Sequence, residues 1–376
     1  MKYSPIYGYK TKDYSLHKLH LRGRKQVLTF STQVSGDTMR ILFTNKYSHK
    51  SLRVMSVNMI INGNSYPIKV AGKTSFKMPA HTEYYSDEIK LPYQDLSAVV
   101  INARFGLFAS AYGSSDFKSH KIINATHRGM LNRKVHLGLS TKAISDLSLK
   151  LVALIKQVEI VSDQKSIAWF GDSLTNHSHY TQPLQARLFE AKANINIVNA
   201  GHSGNRLLHD GSNILKEEFG IAAINRFYED VMEYNTPDLV VVALGVNDLI
   251  HPGRTSPQDE MPSLQDMIDG YLNLHDQIRA KNAKAVITTI TPFGGYSNAI
   301  LDYAEELRLA INVWIKNQKD FDHVIDINAI VEDPDNPGYL KDEFKGHDNL
   351  HWEQIGGQII ADSIDLESLI KLVNEK

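Results

Sequence analysis

The chain has 376 residues, with 41 Lys or Arg and 42 Asp or Glu, so its formal net charge is −1. This balance lacks the basic excess of proteins that bind nucleic acid through charge, and we expect no nucleic-acid partner. The sequence contains no cysteine, which excludes disulfides, thiolate metal sites, iron–sulfur clusters and a cysteine nucleophile. At roughly 100–200 residues per domain, the length predicts two domains or three.

The beginning of the chain, Met1–Gly8, has no apolar stretch long enough for a signal peptide. No window of the sequence approaches the roughly 18 uninterrupted apolar residues that a membrane span requires. We therefore expect no membrane span and a cytoplasmic location, although the absence of cysteine fits either side of a membrane.

Short runs rich in β-branched and aromatic residues fill the first part of the chain. Residues 27–32 and 39–44 form two such runs, and Ser35-Gly36-Asp37 predicts a turn between them. Asn62-Gly63 follows the longer run 52–61, and this dipeptide between two such runs is a strong hairpin signal. The spacing predicts an antiparallel, jelly-roll-like β-sandwich domain over residues 1–145.

The aromatic residues of this first domain allow two interpretations. Tyr84, Tyr85 and Tyr93 can stack on sugars, or they can belong to the sandwich core or to a domain interface. Apolar residues recur through residues 146–158, and we interpret residues 146–164 as a linker helix that joins the domains.

Strands and helices alternate in the last part of the chain, residues 165–376. Stretches with helical spacing separate the apolar runs, and one of them, residues 264–278, has Ser263 as a plausible N-cap. The alternation predicts a parallel sheet covered on both faces, whose site lies outside the carboxyl ends of the strands. The apolar runs are residues 166–170, 195–198, 239–243, 285–289 and 323–325.

Polar segments follow three of these runs, and a fourth lies near the end of the chain. They are Gly171–Thr175, Asn199–Arg206, Leu244–Asp248 and Asp348–Trp352. A serine becomes a strong nucleophile when a histidine removes its proton and a carboxylate orients that histidine. Ser173 lies at a predicted strand-to-helix turn, and Asp348 and His351 lie three residues apart in one predicted loop.

An oxyanion formed by attack of such a serine needs hydrogen-bond donors. The N–H of Ser173, the N–H of Gly204 and the side-chain amide of Asn247 can supply three. These four segments resemble the SGNH/GDSL hydrolase family, whose serine, glycine, asparagine and histidine blocks occur here in the family's order.

The resemblance covers about residues 165–370 and implies a flavodoxin-like three-layer α/β/α fold. It implies Ser173 as nucleophile, His351 as base and Asp348 as the residue that orients the base. It also implies Ser173, Gly204 and Asn247 as the oxyanion hole, with no metal and no organic cofactor. The whole chain further resembles a bacterial subgroup in which a β-sandwich precedes the hydrolase domain.

The chain departs from the family pattern at two places. Many relatives have Asp-Gly after the nucleophile block, where this chain has Asn176-His177. Many have Pro after the histidine, where this chain has Trp352. Neither position supplies a catalytic group, so the departures concern the shape of the substrate and leave the reaction unchanged.

We take Asp172, His177, Arg206, Phe293 and Trp352 as candidate substrate-binding residues. Asp172 is also a candidate to brace the turn, and Phe293 to line an acyl pocket. Arg206 and His209 can either face the substrate or be solvated loop residues.

Two further alternatives concern the chemistry. Ser203 is a rival nucleophile, although Gly-x-Ser-x-Gly fails because residue 205 is Asn. His177 and His179 suggest a metal, but the other interpretation, histidines at a pocket rim or on an exposed helix, needs none.

The sequence thus predicts a two-domain serine esterase. We expect its partner to be a small-molecule or saccharide ester that carries a short-chain acyl or acetyl group. One alternative is a lysophospholipase or thioesterase. An alternative of another class is a non-catalytic carbohydrate-binding protein that keeps the pocket as a vestige.

Overall fold

The structure, a computed structural model, describes residues 2–14, 19–118, 122–128, 150–296 and 302–375. The chain divides into two compact units, Met1–Gln164 and Lys165–Lys376. Each unit is built around its own buried apolar side chains.

Antiparallel strands build the first unit. One sheet has the order β1-β14-β4-β9-β5-β6, with β12 and β8 paired to β4 and β7 paired to β5. β10 pairs with β3, and β11 pairs with both β13 and β2. The strands are β1 (Lys2–Gly8), β2 (Lys12–Asp13), β3 (Leu19–His20), β4 (Lys25–Thr44), β5 (Leu52–Ile61), β6 (Asn64–Ile68), β7 (Phe76–Met78), β8 (Glu83–Tyr85), β9 (Ile89–Phe105), β10 (Ser110–Ala111), β11 (Gly113–Phe117), β12 (Ile123–Arg128), β13 (Lys150–Val152) and β14 (Ile155–Ser162).

This region is β-rich and antiparallel, as the sequence predicts; its arrangement as a sandwich stays a prediction. The hairpin at Asn62-Gly63 is confirmed, because β5 and β6 pair directly on either side of it. Both turn residues have positive φ, 47° and 81°, which Asn and Gly adopt more readily than other residues.

The predicted turn at residues 35–37 is wrong, because β4 runs through it without interruption. Ser35 and Gly36 pair with Asp95 and Gln94 of β9, and register shifts on both sides of them absorb the irregularity. A Cβ on Gly36 would lie 2.6 Å from Ile160 Cδ1. The glycine therefore allows close packing of a neighbouring side chain within a continuous strand.

The predicted linker helix is also wrong for the residues that the structure describes, since residues 150–164 carry β13 and β14. Nearly every residue of β14 is buried. A short apolar run that is buried on both faces has no strand alternation, so its pattern resembles that of a helix. Residues 146–149 of that prediction lie outside the described residues.

Tyr84, Tyr85 and Tyr93, which the sequence assigns either to sugar stacking or to the core or a domain interface, differ in their surroundings. Tyr84 packs against the apolar core of the first unit. Tyr85 donates a hydrogen bond through its hydroxyl to Glu159 at 2.8 Å, and Tyr93 is 70% exposed. A core role therefore fits Tyr84 and does not fit Tyr93.

The second unit contains a parallel sheet of five strands in the order β16-β15-β17-β18-β19. Their apolar side chains alternate between the two faces, so Ile167 and Trp169 belong to one buried cluster and Ala168 and Phe170 to the other. The five runs predicted as strands are confirmed. The strands are β15 (Lys165–Gly171), β16 (Ile195–Gly201), β17 (Leu239–Ala243), β18 (Lys284–Thr288) and β19 (His323–Ile325).

Helices cover both faces of this sheet, which gives the three-layer α/β/α fold. The Phe170 face packs against α4, α6 and α7, and the Trp169 face packs against α2, α8, α9 and α10. The helices are α1 (Ser173–Asn176), α2 (Thr181–Glu190), α3 (Lys216–Phe219), α4 (Ala223–Phe227), α5 (Val246–Ile250), α6 (Leu264–Arg279), α7 (Asp302–Asn317), α8 (Ile327–Val331), α9 (Gln354–Ser363) and α10 (Leu366–Asn374). A π-helical turn, Tyr228–Met232, continues α4.

The register of the parallel strands brings their carboxyl ends to one edge. Gly171 at the end of β15 is paired with Gly201 of β16 and with Ala243 of β17. The segments that follow these three strands therefore start side by side. Of the helices in the described parts of the chain, none combines the length and the apolar character needed to cross a membrane.

Ser263 is the N-cap of α6, as the sequence predicts, and the structure shows that it forms a capping box with Asp266. Ser263 accepts a hydrogen bond from the backbone N–H of Asp266, and the Asp266 carboxylate accepts one from the N–H of Ser263 at 2.8 Å.

We expect Ser263→Ala to lower the free energy of unfolding by about 1 kcal/mol, because one helix N–H loses its acceptor. Urea unfolding of the full chain measures this loss. Ser263→Thr, which keeps the capping hydroxyl, is the control and should stay close to wild type; an unchanged Ser263→Ala would contradict the role of the cap.

Candidate active site

Ser173 is the first residue of α1 and follows β15 after a single residue. Asp172 is the N-cap of this helix, and its carboxylate accepts a hydrogen bond from Leu174 N at 2.9 Å. The turn directs the Ser173 hydroxyl toward the histidine loop, where Ser173 Oγ lies 2.6 Å from His351 Nε2. The structure thus joins two residues that are 178 positions apart in the sequence.

The histidine loop holds His351 through Asp348. Asp348 Oδ2 lies 2.6 Å from His351 Nδ1, and Asp348 Oδ1 accepts hydrogen bonds from the N–H groups of Leu350 and His351. Asn349 between them has a φ of 58°, a left-handed conformation that asparagine tolerates. One tight turn therefore presents both the carboxylate and the imidazole.

The electrostatics of this loop keep Asp348 ionised. Burial alone would raise the pKa of the Asp348 carboxyl, but hydrogen bonds and charge attraction from His351 and the N–H of Leu350 outweigh it. The pKa consequently lies well below its usual range. A charged Asp348 favours the tautomer of His351 that carries its proton on Nδ1, which leaves Nε2 free to accept a proton from Ser173.

Gly204 lies in the loop after β16, with a φ of +76° that disfavours any other residue. A Cβ at this position would lie 2.0 Å from Cδ1 of Phe219, so the glycine is required by space as well. Among the described residues, none accepts a hydrogen bond from the N–H of Gly204 or of Ser173. Both groups are therefore available to an oxygen atom of a ligand.

Asn247 lies in the first turn of α5, after β17, and is buried. Its side-chain nitrogen donates a hydrogen bond to the carbonyl of Asn205 at 2.9 Å, directly beside Gly204. An amide nitrogen carries two hydrogens, so the second remains for a ligand. The predicted oxyanion donors thus lie on adjoining loops, with Asn247 bound to the Gly204 loop.

Asp248, which the sequence did not mark as a site residue, holds the chain just after the Gly204 loop. Its two carboxylate oxygens accept hydrogen bonds from Leu207 N at 2.7 Å and Leu208 N at 3.0 Å. Burial raises the pKa of this carboxyl to about 6, although these N–H groups and Arg206 lower it. The one feature of the sequence that could have indicated this role of Asp248 is its position next to Asn247.

Arg226 of α4 was also missed, and no motif marks it. Its side chain is 2% exposed, and it pairs with Asp230 at 2.8 Å. The guanidinium donates further hydrogen bonds to the carbonyls of Gly171 and Ala200 and to Asn205 Oδ1. One buried cation therefore connects the ends of β15 and β16 with the Gly204 loop. The i,i+4 pair with Asp230 was its only sequence signal.

The rival nucleophile and the histidine pair have other partners. Ser203 donates its hydroxyl hydrogen bond to Asn176 Oδ1 at 2.8 Å. His179 Nδ1 lies 2.7 Å from the carbonyl of Trp352, and the ring of His177 lies 4.9 Å from that of His351. Within the described ranges, no three His, Asp or Glu side chains are grouped as metal ligands would be.

The prediction that Arg206 faces the substrate is wrong. Its side chain is buried and forms an ion pair with Glu260 at 2.6 Å. It also donates to Ser256 Oγ at 3.0 Å and to the carbonyl of Asp210. A guanidinium has five donors in a rigid fork, which suits it to join loop segments in the interior. His209 is partly exposed.

Phe293 and Trp352 are buried in the apolar layers of the second unit. Each is 2% exposed, and each belongs to an apolar cluster on one face of the sheet. Trp352 packs edge-on against Tyr180 at 5.8 Å between ring centroids. Their predicted contact with substrate stays a prediction, and the burial shows that both large aromatic side chains help to complete the core.

Residues 169–359, just over half of the chain, match the profile of the GDSL-like Lipase/Acylhydrolase family. The chain therefore belongs to this family, and it is a carboxylic ester hydrolase. A search of curated proteins found no match.

Several solved structures resemble part of the chain. The psychrotrophic esterase EstA from Pseudoalteromonas sp. is 19% identical, with 56% of this chain and 100% of that chain covered and a TM-score of 0.40. A GDSL-like lipase from Bacteroides thetaiotaomicron is 16% identical, with 55% and 88% covered and a TM-score of 0.38. The acetyl xylan esterase AlAXEase is 21% identical, with 52% and 96% covered and a TM-score of 0.39.

Asp172 braces the helix, and its burial has a measurable consequence. Burial raises the pKa of Asp172 to about 7, although the N–H of Leu174 and the charge of His351 lower it. As pH rises from about 4 to 7, the unfolded chain releases this proton before the folded chain does. The wild type should therefore lose about 2–4 kcal/mol of unfolding free energy relative to Asp172→Asn over this range.

Urea unfolding of the wild type and of Asp172→Asn at pH 4.5 and pH 8 measures this difference. The substituted asparagine keeps an oxygen for the N–H of Leu174, so the cap is preserved in the variant. A difference that does not change with pH would show that the carboxyl is not shifted by burial.

Proposed function

We propose that the chain is a serine esterase that removes short acyl groups, acetyl in particular, from a saccharide. The observation that carries the serine mechanism is the unbroken contact from Ser173 through His351 to Asp348, with 2.6 Å at each step. A serine, a base and an orienting carboxylate in this order are the parts that nucleophilic acyl transfer needs.

In the proposed first step, Ser173 Oγ attacks the ester carbonyl carbon while His351 Nε2 accepts the hydroxyl proton. The tetrahedral intermediate places a negative charge on the former carbonyl oxygen. The N–H groups of Ser173 and Gly204 and the amide of Asn247 donate hydrogen bonds to that oxygen. The intermediate collapses when the C–O bond to the alcohol breaks and His351 returns its proton to the leaving oxygen.

The second step hydrolyses the acyl-enzyme. A water molecule gives one proton to His351 and attacks the acyl carbonyl carbon, and the same donors stabilise the second oxyanion. Collapse breaks the bond to Ser173 Oγ, which regains a proton from His351. The carboxylic acid then leaves, and no cofactor takes part in either step.

Two observations support a small acyl group on a polar alcohol. Phe293 and Trp352, which a long acyl chain would contact in the predicted pocket, are packed in the core. Beside the triad lie polar residues: His177 next to His351, and Asn349, whose amide donates to the carbonyl of Gly295. Polar groups of this kind can bind sugar hydroxyls.

Ser173→Ala tests the mechanism, because it removes the nucleophile and leaves the fold in place. We expect a loss of about 10⁴-fold or more in kcat on p-nitrophenyl esters. The series from acetate to palmitate should show activity that peaks at acetate in the wild type. Normal turnover by Ser173→Ala would rule the mechanism out.

The same series separates the alternatives. A peak at long chains would favour a lysophospholipase or a thioesterase. Release of fatty acid from a lysophospholipid would indicate the first, and release of thiol from an acyl thioester would indicate the second. Release of acetate from an acetylated xylo-oligosaccharide tests the saccharide directly. Binding of oligosaccharides without hydrolysis of any ester would favour the non-catalytic carbohydrate-binding protein.

Asn247→Ala tests the oxyanion hole. Loss of one donor to the developing oxyanion should lower kcat by about 10²–10³-fold, with a smaller effect on KM. Asn317→Ala removes the same kind of side chain from the exposed surface of α7 and is the matched control. A rise in KM alone, or equal effects of the two variants, would contradict the proposed role of Asn247.

A further inference from the structure

We propose that Phe219 limits the size of the acyl group that the site accepts, an inference that rests on the proposed function. Its ring fills the space beside Gly204 where a side chain would be, 2.0 Å from an added Cβ. The N–H of Gly204 has no acceptor among the described residues, so the ring forms a wall next to an available donor of the proposed oxyanion hole.

The wall is supported from behind by His251. The two rings stack, with centroids 4.9 Å apart and planes inclined by 23°. Burial lowers the pKa of His251 to about 4, and the charges of Arg206 and Arg254 act in the same direction. His251 is therefore a neutral, flat surface near neutral pH, on which an aromatic ring can rest without facing a buried charge.

The backbone around Phe219 is held in place by the Gly204 loop itself. Asn205 Nδ2 donates to the carbonyls of Phe219 at 2.9 Å and Ile221 at 2.8 Å. His202 Nε2 lies 2.8 Å from the carbonyl of Glu218. Because the loop that carries the oxyanion donor also fixes the segment that carries the ring, the backbone of Phe219 cannot withdraw without breaking its bond to Asn205.

The reaction geometry decides which part of the ester meets this wall. His351 must reach the leaving oxygen to protonate it, so the alcohol lies on the histidine side of the carbonyl carbon. The acyl substituent then lies on the other side, between Gly204 and the end of α3, where Phe219 lies. In this arrangement an acetyl methyl would fit beside the ring, and a longer chain would have to displace it.

The experiment compares two esters on one enzyme. The ratio of kcat/KM for p-nitrophenyl octanoate to that for p-nitrophenyl acetate does not depend on the fraction of folded enzyme. In Phe219→Ala this ratio should rise at least about tenfold, because several methylenes gain space. Ile214→Ala is the matched control, since Ile214 is 81% exposed on the same segment, and it should leave the ratio unchanged.

A second readout does not depend on turnover. Ethyl and octyl fluorophosphonates label a reactive serine, and mass spectrometry follows the rate at Ser173. The octyl-to-ethyl ratio of rates should rise in Phe219→Ala and not in Ile214→Ala. Labelling and hydrolysis with an unchanged ratio, or with equal losses at every chain length, would overturn the role of Phe219 alone. No labelling of Ser173 and no Ser173-dependent hydrolysis would overturn the proposed function and this inference with it.

Discussion

The site depends on one buried cation. Parallel strands that end at the same edge leave backbone carbonyls there, and buried carbonyls without partners are costly. Arg226 donates to two of them, Gly171 at 2.9 Å and Ala200 at 3.2 Å, and its own charge is balanced by Asp230. Its third bond, to Asn205 Oδ1, extends the same contact to the loop of the proposed oxyanion donor. The positions of nucleophile and donor are therefore coupled through one guanidinium, which binds the strand end before Ser173 and the loop that holds Gly204.

Asn205 links the Arg226 guanidinium to two other parts of the site. Its carbonyl accepts from Asn247, its side-chain oxygen accepts from Arg226, and its side-chain nitrogen holds the segment of Phe219. Asp248 adds two backbone hydrogen bonds a few residues along the loop. These groups are buried, so the loop is held by hydrogen-bonded polar side chains in a low-dielectric setting. Such a loop needs little reorganisation when charge develops on the substrate, which is the property that electrostatic stabilisation of an oxyanion requires.

The parts of this molecule that the sequence could predict are those set by local pattern. The strands of the parallel sheet are short apolar runs, and Ser263 is a helix cap whose partner is three residues away. The contact of Ser173 with His351 followed from chemistry and from the order of the blocks. Residues 35–37 and 150–162 were misread because bulges and strands buried on both faces erase the period-two signal. Arg206 was misplaced, and Phe293 and Trp352 are buried, because residue type near a strand end does not distinguish a pocket wall from the core.

Phe219 shows why specificity is harder to read than chemistry. The reacting groups must be of particular types, so Ser173, His351 and Asp348 can be found by type and spacing. A wall needs only volume at one point in space, and many residues supply volume. Nothing in the sequence around Phe219 marks this residue. Its proposed role depends on Gly204, 15 positions earlier, whose missing side chain makes room for the ring. Members of one family can therefore share the reaction and differ in substrate, because the residues that select the substrate lie outside the motifs that define the family.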